Sequence, residues 1–375
     1  MLNNVHIVLK DRVVYGDLII EDGKISKINI KPEPANITKR YVIPGFIDLH
    51  IHGASNVDAM DASTYAIEQL ALALVKEGTT AFLATTMTQT QLNIENALTS
   101  IGHYYQNQNP NGAMLLGVHL EGPFINEGAA GAQPKSCIID ADIPLFDGFN
   151  KASGDIIKKV SLAPEIPGSM ALISHLNTKG IVPSIAHTKA NYSTVLEAIK
   201  LGASSTTHTY NAMTPLHHRD IGVVGAALLH DELTAELILD KVHVSIPAAK
   251  LLVKNKGYQN ITLITDSMRA KNMPDGISEL GGQTVHIQHG EARLNDGTLA
   301  GSILRFIDGF KFAINDLGLS LYEAAYMSST KAAIQLKLDD IMGSIEAGKL
   351  ANLVILDDNY NIETTLVKGQ VVFGG

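Results

Sequence analysis

Short apolar runs recur along the chain, and between several of them apolar positions repeat every three to four residues. The runs fall at Val42–Asp48, Thr79–Ala84, Met114–His119, Val160–Ala163, Val182–Ile185, Ser205–His208, Ala235–Leu239 and Ile261–Thr265. The amphipathic stretches include Ala62–Lys76, Gln91–Tyr105, Ser169–Lys179, Tyr192–Lys200 and Pro247–Lys256. Short apolar runs read as strands covered on both faces, and the longer repeat reads as helix with one buried stripe. About eight such units in about 220 residues predict a (β/α)8 TIM-like barrel. An open doubly wound sheet is the alternative, but no G-x-G-x-x-G follows a first strand to favour it.

The pattern changes at both ends. Val5–Leu9, Val13–Tyr15, Leu18–Ile20 and Lys24–Ile28 are strand-like, with Asp22-Gly23 a hairpin signal. Leu353–Leu356 and Thr364–Phe373 are strand-like too, the second interrupted by a turn at Lys368-Gly369. Neither end alone has enough strands for a stable sheet. The economical arrangement is a small β-sandwich domain made from residues 1–43 and 345–375, beside a barrel spanning 44–344. Two long loops are predicted, Glu121–Ile139 and Tyr210–Leu228, and loops of that length at strand ends are usually functional. Gln283–Thr298, turning at Asn295-Asp296-Gly297, reads as an inserted hairpin.

Composition narrows the function. Of 375 residues, 45% are hydrophobic and 18% charged, which describes a folded chain with an ample core. A single cysteine, Cys137, excludes an internal disulfide framework and a cysteine-rich zinc module, and fits a reducing compartment. A formal charge of −9 argues against nucleic-acid and anionic-membrane partners, though a few local cations suffice for an anionic small molecule. There is no signal-peptide pattern at Met1–Ile7 and no apolar stretch of roughly 18 residues, so a cytoplasmic protein is expected.

The chemistry lies in where imidazoles and carboxylates fall. His50 and His52 end the first run, and residues i and i+2 of a strand share a face. Glu121 follows the third run, His187 the fifth, His208 the sixth and Asp266 the eighth. In a parallel barrel those strand ends meet at one rim, where such enzymes carry their active sites. Each residue also has a plainer use: a lone strand histidine is more often structural, and Asp266 before Ser267 suits a helix cap. Their joint placement favours a metal site. Nitrogen and oxygen donors without a thiolate suit Zn, Fe, Mn or Co as the divalent ion, and six donors exceed one catalytic ion's usual three, so one or two ions per subunit are expected.

Pro44-Gly-Phe-Ile-Asp-Leu-His-Ile-His-Gly and Thr265-Asp266 resemble the amidohydrolase superfamily. More narrowly, His119-Leu-Glu-Gly-Pro-Phe, Ala186-His-Thr, Thr207-His-Thr-Tyr-Asn-Ala-Met, Asp240-Lys-Val-His and Leu299-Ala-Gly-Ser resemble the N-acetylglucosamine-6-phosphate deacetylases, and the similarity runs from end to end. The resemblance implies Glu121, His187 and His208 as central metal ligands, with His50 and His52 adding a binuclear capacity that some members lack. It implies hydrolysis of N-acetylglucosamine 6-phosphate to glucosamine 6-phosphate and acetate by metal-activated water. Asp266 is then general base and acid, besides being a metal donor.

Substrate contacts implied in the same way are Ala132, Gln133, Asn211, Ala212, Arg219, His243, Leu299, Ala300 and Gly301. Arg219 and His243 are the phosphate candidates, since guanidinium and imidazolium are strong charge-assisted donors. One phosphate contact in the family comes from the partner subunit, which implies a homodimer with a shared phosphate site. Ala132-Gln133 stands where some members have a substrate-contacting histidine, and glutamine cannot titrate near neutral pH.

Two other readings remain open. A dihydroorotase-like or isoaspartyl-dipeptidase-like amide hydrolase commonly uses a lysine at the end of the fourth strand, where this chain has Val160-Ser-Leu-Ala-Pro-Glu. A non-catalytic scaffold on the same fold need not keep the full donor set.

Overall fold

The structure, a computed structural model, describes residues 1–35 and 37–375. Eight parallel strands form one sheet in sequence order: Phe46–Ile51, Thr79–Thr86, Met114–Glu121, Ile157–Leu162, Val182–Ile185, Ser205–Thr206, Thr234–Ile238 and Ile261–Ile264. The first and last strands close it. Asp266 donates its backbone N–H to His50 O at 2.8 Å, and Thr265 Oγ1 donates to the buried Asp48 carboxylate at 2.5 Å. The fold is therefore the expected (β/α)8 barrel.

Helices cover the barrel where apolar stripes and caps coincide. Thr90 and Asn191 accept from the backbone N–H of Asn93 and Thr194, fixing the starts of Gln91–Gln106 and Tyr192–Lys200. Thr64–Leu74, Ser169–Thr178 and Ile246–Lys256 also lie where the periodicity predicts them, within one or two residues. Phe306–Asn315 continues this layer, its Phe306 stacked on Phe46 with ring centroids 4.8 Å apart.

The termini form one seven-stranded sheet, in the order Gln370–Gly374, Ile362–Val367, Leu353–Leu356, Tyr41–Pro44, Leu2–Val8, Val13–Glu21 and Lys24–Ile30. It curls over Ile7, Leu18, Ile25, Leu353, Ile355 and Leu366, drawn from both ends of the chain. Its two flanks meet again where Ile25 donates its backbone N–H to Lys349 O and Gly369 its own to Ala351 O. This is the small sandwich domain.

Four expectations need correction. The run Val42–Asp48 is two strands in two sheets, Tyr41–Pro44 and Phe46–Ile51, with Gly45 as the crossing. A Cβ on Gly45 would stand 2.3 Å from Thr80 Cγ2, so the crossing admits only glycine without displacement. Val13–Tyr15 and Leu18–Ile20 are one strand, Val13–Glu21. Gly16 is its close-approach point against Asn29 O, and Asp17 is buried against Lys31 Nζ at 2.6 Å. The second half of the loop predicted at Tyr210–Leu228 is a buried helix, Gly222–Leu229, whose Gly-Val-Val-Gly-Ala-Ala-Leu-Leu is apolar all round and so carries no stripe. The predicted hairpin is a three-stranded sheet of Gly276–Leu280, Gln283–Gln288 and Glu291–Leu294, turning at Gly281-Gly282 and His289-Gly290. Asn295–Gly297 turns after its last strand.

Candidate active site

Each donor enters from the carboxyl end of a barrel strand. His50 lies within the first strand and His52 just beyond it, while Glu121 is the last residue of the third. His187, His208 and Asp266 each sit two residues past a strand, with φ of 43°, 35° and 48°. Left-handed backbone at a non-glycine residue costs about 1–3 kcal/mol, and strain of this kind concentrates at functional sites. Here it falls at three converging strand ends.

The donors form two triads, His50–His52–Asp266 and Glu121–His187–His208, and within each the ligand atoms lie within 4.8 Å of one another. Glu121 also links them. Its Oε1 is 3.4 Å from His187 Nε2, 3.2 Å from His208 Nε2 and 3.4 Å from His50 Nε2; its Oε2 is 3.3 Å from His52 Nε2. Asp266 Oδ1 stands 3.3 Å from both His50 Nε2 and His52 Nε2. The rings are aimed by their far sides: His52 Nδ1 contacts Thr85 O at 3.1 Å, and His187 Nδ1 contacts Ala129 O at 2.9 Å. A carbonyl can only accept, so each Nδ1 carries the proton and leaves Nε2 free as a ligand atom.

The residues present fit a divalent cation. His50 Nε2 and Glu121 Oε1 are buried without a hydrogen-bond partner, and two imidazole nitrogens meet at 3.1 Å between His187 and His208. Burial costs a polar group dearly unless something compensates it. Burial also pushes the Glu121 carboxyl up, but the charge on His50 and the contacts from His187 and His208 outweigh it and hold it well below the usual carboxylate range. Asp266 behaves likewise, pushed up by burial but drawn down to about 2 by His50 and His52. Burial opposes charging His50, yet Asp266 and Glu121 bring it up to about 9. A cation here takes over the charge that these imidazoles otherwise supply.

Above the triads opens a cavity of about 500 Å³. His52, Glu121, His187, His208 and Asp266 form its floor, and Ala132, Gln133, Asn211, Ala212, His243, Leu299 and Gly301 line its wall, all anticipated from sequence. Gln133 is committed to the floor. Its Oε1 accepts the Thr88 N–H at 2.7 Å and its Nε2 donates to Glu121 Oε2 at 2.7 Å, so it orients that carboxylate. His243 is fixed by Asp240 at 2.6 Å.

Two anticipated residues lie elsewhere. Ala300 is fully buried behind the wall, its backbone N–H on Ala292 O. Arg219 is exposed on its loop against His218 and does not reach the cavity of its own chain. Conversely, Lys189 and Arg293 line the cavity and were not anticipated. Both come from segments without strand-end periodicity, Arg293 from the inserted sheet.

Residues 41–372 match the family model for the amidohydrolase family. An N-acetylglucosamine-6-phosphate deacetylase from Bacillus subtilis (strain 168) is 41% identical over 383 aligned residues, covering 100% of this chain and 97% of the other. The crystal structure of the enzyme of that name from Thermotoga maritima superposes with a TM-score of 0.93 at 36% identity, covering 100% of this chain and 99% of its own. A mutant form from Mycobacterium smegmatis, in complex with N-acetyl-D-glucosamine-6-phosphate, gives 0.92 at 26% identity over 98% and 97%.

Proposed function

The chain belongs to the amidohydrolase family, and from that premise we propose that it hydrolyses N-acetylglucosamine 6-phosphate to glucosamine 6-phosphate and acetate. The observation that carries this is the two donor triads, five of whose six residues floor a single cavity walled by Asn211, Ala212 and His243. Glu121, His187 and His208 are assigned to one divalent cation, and His50, His52 and Asp266 to a second, with Zn, Fe, Mn or Co as suitable ions. When bound, such an ion supplies Lewis-acid polarisation of a carbonyl and a lowered pKa for water.

The remaining steps belong to the chain. Asp266 is ionised at neutral pH and faces the cavity, so its carboxylate accepts the proton of the attacking water. It then returns that proton to the sugar nitrogen as the C–N bond breaks, because an amine anion leaves poorly. No other residue of the floor combines that position with a free carboxylate oxygen, since Glu121 is occupied by four imidazoles and Gln133. His243, held by an Asp240 carboxylate that favours its charged form, is assigned to the phosphate.

Arg219 is assigned to the phosphate of a second subunit's site, which its exposure and its position outside the lining of its own cavity support. The protein is accordingly read as a homodimer. No helix among the described residues is long and apolar enough to cross a membrane, and with one cysteine we place the enzyme in the cytoplasm.

A dihydroorotase-like chemistry is not favoured. The fourth strand ends in Ser161-Leu162, and its one fully buried lysine, Lys159, is tied to Glu236. A scaffold is not favoured either, because the donor set and Asp266 are all present.

The test is acetate release from N-acetylglucosamine 6-phosphate, before chelation, after it, and after metal add-back. Turnover is expected to vanish and return. Unphosphorylated N-acetylglucosamine should be a poor substrate, and faster turnover of N-acetylgalactosamine 6-phosphate would overturn the sugar assignment. Activity indifferent to chelator at any exposure time would overturn the metal reading.

A further inference from the structure

Beneath the triads lies buried charge that the reaction above does not use. Lys159 is in the fourth strand and Glu236 in the seventh, and both are fully buried. Two strands separate theirs, so the ion pair between Lys159 Nζ and Glu236 Oε1 spans the barrel interior. Such layers are ordinarily filled by Val, Ile and Leu. Replacing a buried ion pair by apolar residues of similar volume is often neutral or stabilising, so stability alone does not account for the pair.

The other carboxylate oxygen indicates its use. Glu236 Oε2 faces His50 Nδ1 at 3.5 Å, an ionic contact longer than a formed hydrogen bond, and accepts the backbone N–H of His208 at 3.3 Å. It thus touches one member of each triad. His52 and His187 have their Nδ1 atoms fixed by backbone carbonyls, whereas His50 Nδ1 has no carbonyl and no hydrogen-bond partner. Glu236 stands where the carbonyl stands for the other two rings. Around it, hydroxyls bind one another: Ser161 Oγ meets Thr207 Oγ1 at 2.6 Å, and Ser184 Oγ meets the same atom at 2.6 Å. Among the described residues, the Glu236 carboxylate thus meets Lys159, the His50 ring and the His208 N–H.

We propose that Glu236, held in place by Lys159, is the positioning residue of His50. It keeps the proton of the neutral ring on Nδ1 and turns Nε2 toward Asp266 and Glu121, and so determines whether the His50–His52–Asp266 site fills. The inference rests on the two-ion reading above. A carboxylate behind a ligating imidazole is a known means of fixing tautomer and orientation, and losing it typically costs 10–100-fold in metal affinity.

The test uses metal-depleted full-length protein titrated with Co²⁺, read by stoichiometry and by the visible spectrum. Lys159→Met/Glu236→Leu removes the pair without leaving a lone charge. Lys159→Met/Glu236→Gln keeps an acceptor oxygen facing the ring, and Glu236→Gln alone serves if a double variant fails to fold. Wild type is expected to take two ions. The Leu variant should bind the second at least tenfold more weakly and the first within about twofold of wild type, while the Gln double variant recovers most of the loss. If the Leu variant fills both sites like wild type, or loses both equally, Glu236 is merely the counter-ion of Lys159 and the proposal fails. A wild type that takes no Co²⁺, or only one ion, overturns the two-ion reading itself and the proposal with it.

Discussion

Asp266 sits where the last barrel strand closes on the first, and its carboxylate oxygen is within 3.3 Å of two imidazoles. Asp266→Asn keeps the size of the side chain and removes the proton acceptor. Loss of a positioned general base costs typically 10²–10⁴-fold, so kcat should fall by about that factor while the thermal midpoint moves little. Turnover near wild type would give the base role to another group. His243 makes a separate prediction about pH. Burial pushes its imidazolium toward losing the proton, but the Asp240 hydrogen bond and charge outweigh this, and its pKa lies above the ordinary 6.5. If the charged ring binds phosphate as proposed, KM should rise as pH climbs through the raised value. His243→Asn should show a higher KM at pH 7 and lack that alkaline rise; an unchanged profile would detach His243 from the phosphate. The strand-end donors were legible because each closes an apolar run. Glu236 and Lys159 were not: Ala-Glu-Leu-Ile and Ile-Lys-Lys-Val read as ordinary strand, and the partners lie 77 positions apart. Lys189 and Arg293 escaped for a different reason, since a basic residue of a loop or of a surface hairpin strand is indistinguishable in sequence from one turned toward a cavity.

At the scale of elements, the helix Gly222–Leu229 shows how a loop reading fails. Two glycines in eight residues suggest a turn, and the six apolar residues around the helix leave no polar face to mark it. Burial of Gly222–Ala227, which spans every side of the helix, decides instead. Gly222 begins the helix at φ 57°, and a Cβ there would lie 2.7 Å from Pro215 O and 2.8 Å from Thr214 O. Both are backbone oxygens of the loop that carries Arg219, so neither can rotate away. Gly222→Ala should therefore destabilise the fold by about 1–3 kcal/mol and raise KM through the displaced loop. A calorimetric midpoint equal to wild type would show that the turn has room to relax. The strands at Thr79, Met114, Val182 and Ile261 were legible to the residue at their starts because their apolar runs have no second use. Val42–Asp48 failed because two sheets share one run: hydrophobicity records burial, whereas the hydrogen-bond partners that divide Tyr41–Pro44 from Phe46–Ile51 come from residues far along the chain.

For the whole molecule, the decisive question is whether one chain completes its own site. The cavity floor and its wall come from one chain, but Arg219 is exposed on its loop and is not among the residues that line them. If it binds the phosphate held mainly by the other subunit, Arg219→Ala should mainly raise KM, by an amount corresponding to about 2–4 kcal/mol for a lost charged contact. Pairing this variant with Asp266→Asn then separates a shared site from a solitary one. Each variant homodimer is impaired at both of its sites. In a heterodimer, the chain that keeps Asp266 receives the intact Arg219 of its neighbour and forms one complete site, while the other site lacks both groups. After subunit exchange at equal amounts, half the dimers are mixed and each has one good site of two, so activity at low substrate should rise to about a quarter of wild type. If Arg219 serves its own chain, every mixed site lacks one of the two groups and mixing gives only the average of the parents. Sizing by light scattering supplies the control, because a monomer at assay concentration would remove the neighbour altogether.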